Sequence, residues 1–340
     1  RYLHILSLRQ RQMCIRYIKM KERGAELLRS GEAARVVGWK KGEFYFDPSP
    51  ATFETEEELG EFVYNGFCGS NLSKYLIAVS KKPGKTAIFL KPCDTYSFNE
   101  LVKEHRVARE KVYVIGIECQ GKLDIDKIRA KGVTGVMEAE EAGDKVEVTS
   151  LYGKTSIARE EILLEKCLCC KGKKHMVADE TIILHEMPET KNNRFSGVEK
   201  LERMTPDERF AFWKAELSKC IRCNACRNVC PACSCVKCVF DNPASGIAAK
   251  ANDTEFEEQM FHIIRAFHVA GRCTDCGECS RVCPQHIPLH LLNRKFIKDM
   301  DTLYGDFQAG ETAEGKTPLT EYTEGDAEPG EAVKPEGQHA

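Results

Sequence analysis

Long apolar runs are missing from this 340-residue chain. No stretch approaches the roughly 20 residues that a membrane span needs. The basic opening segment, "RYLHILSLRQRQMCIRYIK", has no apolar core long enough for a secretion signal. Charge of one sign is missing too. Fifty Lys and Arg stand against 52 Asp and Glu, a net −2, which gives no case for a nucleic-acid binder. No Ser/His/Asp set and no paired carboxylates stand out, so any chemistry is expected from bound cofactors. "PGKT" (83–86) looks like the end of a phosphate-binding loop, but the place of its leading glycine is taken by Val79, which excludes that reading.

What the chain has in excess is cysteine, 18 in all. Disulfide scaffolds are usually small and secreted, whereas this chain is long and groups its cysteines two or three apart. That favours metal ligation and a cytoplasmic protein. An apolar content of 42% and a charged content of 30% fit a soluble globular chain of two or three domains.

Composition and periodicity divide the chain. Residues 1–19 read as a basic extension, with Met20 opening an ordinary domain start. Residues 20–187 read as an α/β domain. "KTAIFL" (85–90) and "KVYVIGIE" (111–118) are buried-type strands flanking an amphipathic helix, "SFNELVKEHRVARE". Strand, helix, strand at this length is a parallel unit with a right-handed crossover. Before it, "ARVVGWKKGEFYF" reads as two strands about a turn at Lys41-Gly42, and "TEEELGEFVYN" and "SNLSKYLIAVSKK" read as helices. After it come the helix "KLDIDKIRAKG", the strand "VTGVMEA", the hairpin "GDKVEVTSLYGKTSIA" and a last strand within 180–187. Residues 188–204 read as a polar linker. The helix after it starts with Thr205 as cap, Pro206 in the first turn and Glu208 three residues on. In "DTEFEEQMFHIIRAFHVAG", Phe256, Met260, Ile263, Ile264 and Phe267 follow helical spacing up to Gly271, with His262 and His268 read as structural. Residues 205–300 form the second domain, and 301–340 a Gly-, Glu-, Pro- and Thr-rich extended or disordered tail.

Two cysteine runs dominate the second domain. Cys220, Cys223, Cys226 and Cys230, then Pro231, are repeated with identical spacing as Cys273, Cys276, Cys279 and Cys283, then Pro284. This is the spacing of bacterial two-cluster ferredoxins. Three thiolates on one tight loop reach three corners of a cubane, and the fourth, beyond the turn, ligates the other. The first [4Fe–4S] cluster should therefore take Cys220, Cys223, Cys226 and Cys283, and the second Cys273, Cys276, Cys279 and Cys230. A zinc site would instead want two pairs separated by a finger-length loop. Cys233, Cys235 and Cys238 follow at once, either as ligands of a further centre or as plain thiols.

A second constellation lies in the first domain. Cys93 follows one buried strand and Cys119 the other, so both should emerge at the carboxyl edge of the sheet, where open α/β sheets bind ligands. Cys167 and Cys170 of "KCLCC" could join them in a third [4Fe–4S] cluster. The alternative leaves Cys93 and Cys119 as core thiols and "CLCC" for zinc. Asp94, beside Cys93, is either a tuning carboxylate or an exposed loop residue.

In this order, "YNGFCGSNLSKYL", "FLKPCDTYSFNEL", "VIGIECQG" and "KCLCC" resemble the beta subunits of deazaflavin (F-420) reducing hydrogenases and related formate dehydrogenases. The resemblance covers roughly residues 20–190. The ferredoxin runs form an appended module, C-terminal here. The resemblance implies an iron–sulfur flavoprotein, with FAD beside a [4Fe–4S] cluster turning hydride pairs into single electrons. It implies a subunit of an anaerobic multisubunit oxidoreductase: a formate dehydrogenase, hydrogenase or heterodisulfide-reductase-like complex, with ferredoxin as a further partner. For the FAD pyrophosphate, the loop Asn65, Gly66, Gly69, Ser70, Asn71 and Lys74, opening a helix, offers free N–H groups. The alternatives are a stand-alone deazaflavin or NAD(P)H:ferredoxin oxidoreductase, and a non-redox zinc protein. The expected architecture is an α/β N-terminal domain with a partly parallel sheet, an α-helical dicluster ferredoxin-like domain and a disordered acidic tail.

Overall fold

The computed structural model describes residues 8–184, 193–242, 255–315 and 317–319. The chain divides into two compact units, the first ending at Asn192 and the second beginning at Asn193. Among the described residues no helix is long and apolar enough to cross a membrane.

The first unit opens on helix α1 (Leu8–Arg29), which runs straight through Met20. Met20 is fully buried against the main core, so it is an interior position of a helix and not a start. Strands β1 (Arg35–Lys40) and β2 (Ser49–Phe53) pair antiparallel, but the connection is longer than the Lys41-Gly42 turn read from sequence. Residues 43–46 lie in that connection. The stretch read as the helix "TEEELGEFVYN" holds only a short 3-10 turn over Glu58–Glu61. The next expected helix shrinks to a 3-10 turn, Ser73–Tyr75, and α2 (Leu76–Val79).

The parallel unit is present. Strand β3 (Thr86–Leu90), helix α3 (Pro92–Lys103) and strand β4 (Val112–Ile117) follow in turn, with β3 and β4 in parallel register from Thr86↔Val112 to Leu90↔Gly116. Helix α4 (Ile125–Ala130) leads to β5 (Val136–Ala142), β6 (Lys145–Ser150) and β7 (Gly153–Ala158), which form their own antiparallel sheet. After α5 (Glu165–Leu168), strand β8 (Glu180–Ile182) pairs parallel with β4. Residues 185–187 of that expected strand lie outside the described residues. The main sheet runs β2-β1-β3-β4-β8. Gly116 has no side chain for a steric reason: a Cβ there would stand 3.0 Å from the ring of His175, whose Nε2 lies 3.1 Å from Ile117 O.

The second unit is helical. Of the residues read as linker, 188–192 lie outside the described residues. Within 193–204 stands helix α6 (Ser196–Glu202), with Val198 and Leu201 buried and α11 packed on it. Helix α7 (Pro206–Leu217) starts on the expected capping box: Glu208 N–H donates to Thr205 Oγ1 at 3.3 Å, and Thr205 N–H to Glu208 Oε2 at 2.8 Å. Helices α8 (Ala225–Asn228), α9 (Glu255–Val269), α10 (Glu278–Arg281) and α11 (Leu289–Tyr304) complete the unit. α11 carries regular structure past residue 300. Beyond it Ala309 and Thr317 are buried, and Pro318 O comes so close to Gly271 that a Cβ there would meet it at 2.4 Å. The described part of the stretch read as a disordered tail is therefore packed. Residues 320–340 lie outside the described residues.

Helix α9 faces the other way from its apolar stripe. Phe256 and Phe267 are mostly exposed, while Glu258, Phe261, His262 and Arg265 are buried. Periodicity finds the apolar stripe of a helix, but here the inner face looks onto cysteine loops and carries charge.

Candidate iron–sulfur sites

The two cysteine runs adopt the same local conformation. Arg222 and Asn224 in the first, and Asp275 and Gly277 in the second, have positive φ at matching places, each pair just before a one-turn helix. These left-handed residues curl each loop tightly enough to turn its sulfurs to one side.

The fourth cysteine of each run lies near the other run. The thiol of Cys226 faces Cys283 of the other run as well as Cys223 and Cys230 of its own; burial pushes its pKa up, Arg265 opposes that, and the neighbouring thiols add to the rise. Cys273 lies beside Cys230 of the first run and its own Cys276, with its pKa raised mainly by burial. Cys279 faces both Cys230 and Cys226. The two runs thus bring their thiols together in one part of the second unit.

Between them stands Arg265, buried and donating to Cys226 O at 3.2 Å. Burial opposes its charge, but the thiols of Cys230, Cys279, Cys233 and Cys226 outweigh burial and raise its pKa. Among the described residues no carboxylate pairs with it. A buried cation without a counter-ion costs several kcal/mol, so the arrangement fits anionic thiolate clusters on both sides.

The spacing of the sulfurs also discriminates. A zinc ion about 2.3 Å from each thiolate draws the sulfurs within about 4 Å of one another. Among the described residues, the one trio of ligand atoms all within 4.8 Å is Cys220, Glu258 and His262. Among the described residues no three cysteine sulfurs come that close, a separation that suits a larger inorganic core better than one zinc ion.

The three extra cysteines part company. Cys233 sits beside Cys230, whose pKa its thiol holds down to about 5. Cys235 is exposed, and Cys238 neighbours Arg227.

In the first unit, Cys93, Cys119, Cys167 and Cys170 all act on one ammonium, that of Lys173, which donates to Cys119 O at 3.0 Å. Burial lowers the Lys173 pKa, and the four thiols reverse that and raise it. Lys122 N–H donates to Cys167 Sγ at 3.2 Å. Burial opposes ionisation of Cys119, but Lys122, Lys173 and Lys91 bring its pKa below the ordinary thiol value. Cys93 goes well above it, through burial and the adjacent Asp94. Asp94 is no exposed loop residue. It is fully buried in the first turn of α3 and paired with Lys91 at 2.7 Å. Cys68 is a core thiol in the loop below.

The loop offered for a pyrophosphate is committed internally. Asn65 Nδ2 donates to Tyr45 O at 3.1 Å, and its Oδ1 accepts from Phe67 N–H. Asn71 Nδ2 donates to Ser97 Oγ at 2.8 Å, and its Oδ1 accepts from Ser73 N–H. Gly66 is buried against Leu123; Gly69 and Ser70 are buried, and Lys74 is half-buried. With only a 3-10 turn and one α turn behind it, this loop does not open a helix of useful length. Instead, three ammonium groups grip its carbonyls: Lys122 on Asn65 O (2.9 Å), Lys166 on Gly69 O (2.7 Å) and Lys91 on Ser70 O (2.7 Å). The sequence reading missed these lysines. The signal was available: each of Cys93, Cys119, Cys167 and Cys170 has a lysine within three residues.

Comparison with known proteins adds three matches. Residues 216–287 match the family described as the 4Fe-4S dicluster domain. The F420-dependent formate dehydrogenase subunit beta of Methanocaldococcus jannaschii is 24% identical over 79% of this chain and 85% of its own length. The F420-dependent formate dehydrogenase 1 subunit beta of Methanococcus maripaludis is 25% identical over 63% of this chain and 71% of its own. A chain of the F420-reducing [NiFe] hydrogenase complex from Methanosarcina barkeri aligns with a TM-score of 0.35 at 14% identity, over 43% of this chain and 56% of that one. The chain is thus similar over most of its length to beta subunits of F420-dependent formate dehydrogenases, and residues 216–287 belong to the 4Fe-4S dicluster domain family.

Proposed function

We propose that the chain is the iron–sulfur electron-transfer subunit of a multisubunit anaerobic oxidoreductase of the formate dehydrogenase or hydrogenase kind. The single observation that carries this reading is the doubled cysteine run, its two loops in matching conformations about the buried Arg265. A [4Fe–4S] cluster takes up and releases one electron at a time. The first cluster is held by Cys220, Cys223, Cys226 and Cys283, and the second by Cys273, Cys276, Cys279 and Cys230. A third is held by Cys93, Cys119, Cys167 and Cys170. Support for the third is the convergence of its thiols on Lys173 at the carboxyl edge of β3 and β4. The protein's part is to position the thiols, exclude water and supply compensating positive charge. FAD is the two-electron carrier that the family resemblance implies, and the other subunits of the complex are the partners.

The test is iron, acid-labile sulfide and released flavin per chain, on protein purified without oxygen. About 12 irons with one FAD support three cubanes and the hydride-splitting role. About 8 irons without flavin remove the third cluster and leave a two-cluster conductor. Zinc in place of iron overturns the reading.

A further inference from the structure

His262 lies on the inward face of α9, 2% exposed, and neither ring nitrogen has a hydrogen-bond partner among the described residues. It is one member of the trio with Cys220 and Glu258 whose ligand atoms lie within 4.8 Å of one another. Glu258 is held in place from the other side: Arg222 Nε donates to its Oε1 at 2.8 Å, and its Oε2 has no hydrogen-bond partner. Arg222 in turn stacks over Phe261, next to His262. The ring is therefore buried within 4.8 Å of a sulfur, with its polar atoms unused.

A buried imidazole with nothing to bond is a costly residue to keep. A purely structural histidine would be expected to find a carbonyl, as His175 does at Ile117 O. Within 4.8 Å of a His262 ring nitrogen lie Cys220 Sγ and a Glu258 carboxylate oxygen. Glu258 is already held by Arg222 and also bonds the Cys220 thiol. That second bond is given up once Cys220 is a thiolate on iron, which leaves the sulfur free to accept from His262. A thiolate holding iron keeps lone pairs that accept N–H donors, and such donors favour the more negative, reduced state of a cluster.

We propose that His262 donates an N–H hydrogen bond to the Cys220 sulfur of the first cluster and raises that cluster's reduction potential above that of the second. His262 is a positioning residue in this role and not an iron ligand. The proposal rests on the reading of Cys220 as a cluster ligand. A separate metal ion in the trio would have to take Cys220 away from Cys223 and Cys226.

The experiment is an EPR-monitored potentiometric titration of the full chain, purified without oxygen and with iron counted, for the native protein, His262→Phe and His262→Gln. The reduced native protein is also labelled with ¹⁵N-histidine and examined by pulsed EPR. The expected result is unchanged iron and one midpoint lowered in His262→Phe by about a tenfold change in the reduction constant, which is about 59 mV for one electron. His262→Gln, which keeps a donor, should recover most of it, and the native protein should show a weak nitrogen coupling that His262→Phe loses. Unmoved midpoints at full iron, or a strong coupling typical of iron-bound nitrogen, overturn the proposal and leave the cluster assignment standing. If His262→Phe loses iron, His262→Gln decides by its midpoint: a native-like midpoint at full iron supports the hydrogen bond, and a midpoint shifted away from the native one overturns it. Zinc in the native protein sinks the earlier reading instead.

Discussion

Arg265→Met removes a positive charge from between the two cysteine neighbourhoods while keeping most of the side-chain volume. The guanidinium donates to Cys226 O at 3.2 Å. At an effective dielectric constant of about 20, a unit charge about 6 Å from a cluster is worth about 3 kcal/mol. Each tenfold change in a one-electron equilibrium is about 1.4 kcal/mol or about 59 mV, so the nearer cluster should drop by about 120 mV. Because Arg265 also faces Cys230 and Cys279, the second cluster should fall with it. Potentiometric titration with EPR detection reads both midpoints, and Arg265→Lys, which keeps the charge, should shift them far less. A fully iron-loaded Arg265→Met protein with native midpoints would refute the claim that this cation compensates the clusters.

Four further outcomes are expected. Cys283→Ala should cost the first cluster, that of Cys226, and spare the one built on its own neighbours in sequence; losing the second instead would disprove the exchange. Lys173→Met should lower the midpoint of the centre in the first unit and leave the other two in place, read in the same titration. Thr205→Ala breaks the capping box of α7 and should destabilise the second unit by about 1 kcal/mol in a urea melt. Glu202 is paired with Lys298 and Lys295, which outweigh partial burial and hold its pKa below the usual carboxylate value. Its stabilisation is therefore present above the ordinary carboxylate pKa and is lost as pH falls through its lower folded value. Glu202→Gln should be less stable than the native protein at pH 7 and equal to it in strong acid.

The cysteine runs, the parallel β3–α3–β4 unit and the Thr205 cap were legible because each depends on neighbours in sequence. Spacing decides which sulfurs share a loop, an apolar run of strand length marks a buried strand, and a cap acts across three residues. What escaped depends on what lies opposite. Met20 resembles a start only until its burial in α1 is known. Phe256 and Phe267 mark the helical spacing of α9, but the helix buries Glu258, His262 and Arg265 instead, and no periodicity reports a charged interior. Asn71, offered for a pyrophosphate, donates to Ser97, a residue distant in sequence. The lysines around the first unit's thiols have no period at all; only their closeness to each cysteine marks them.

The proposed exchange of Cys230 and Cys283 between the clusters has a mechanical consequence. With the ligands assigned above, each cubane ties residues near 226 to residues near 280, acting as an inorganic crosslink across some 40 or more residues of chain. A covalent closure of a loop that long removes about 4 kcal/mol of unfolded-state entropy, and two closures in parallel make the halves of the module prisoners of one another. Iron delivery and folding then become one event. Oxygen damage to either cluster would loosen both loops together, so the module should fail as a unit and not cluster by cluster.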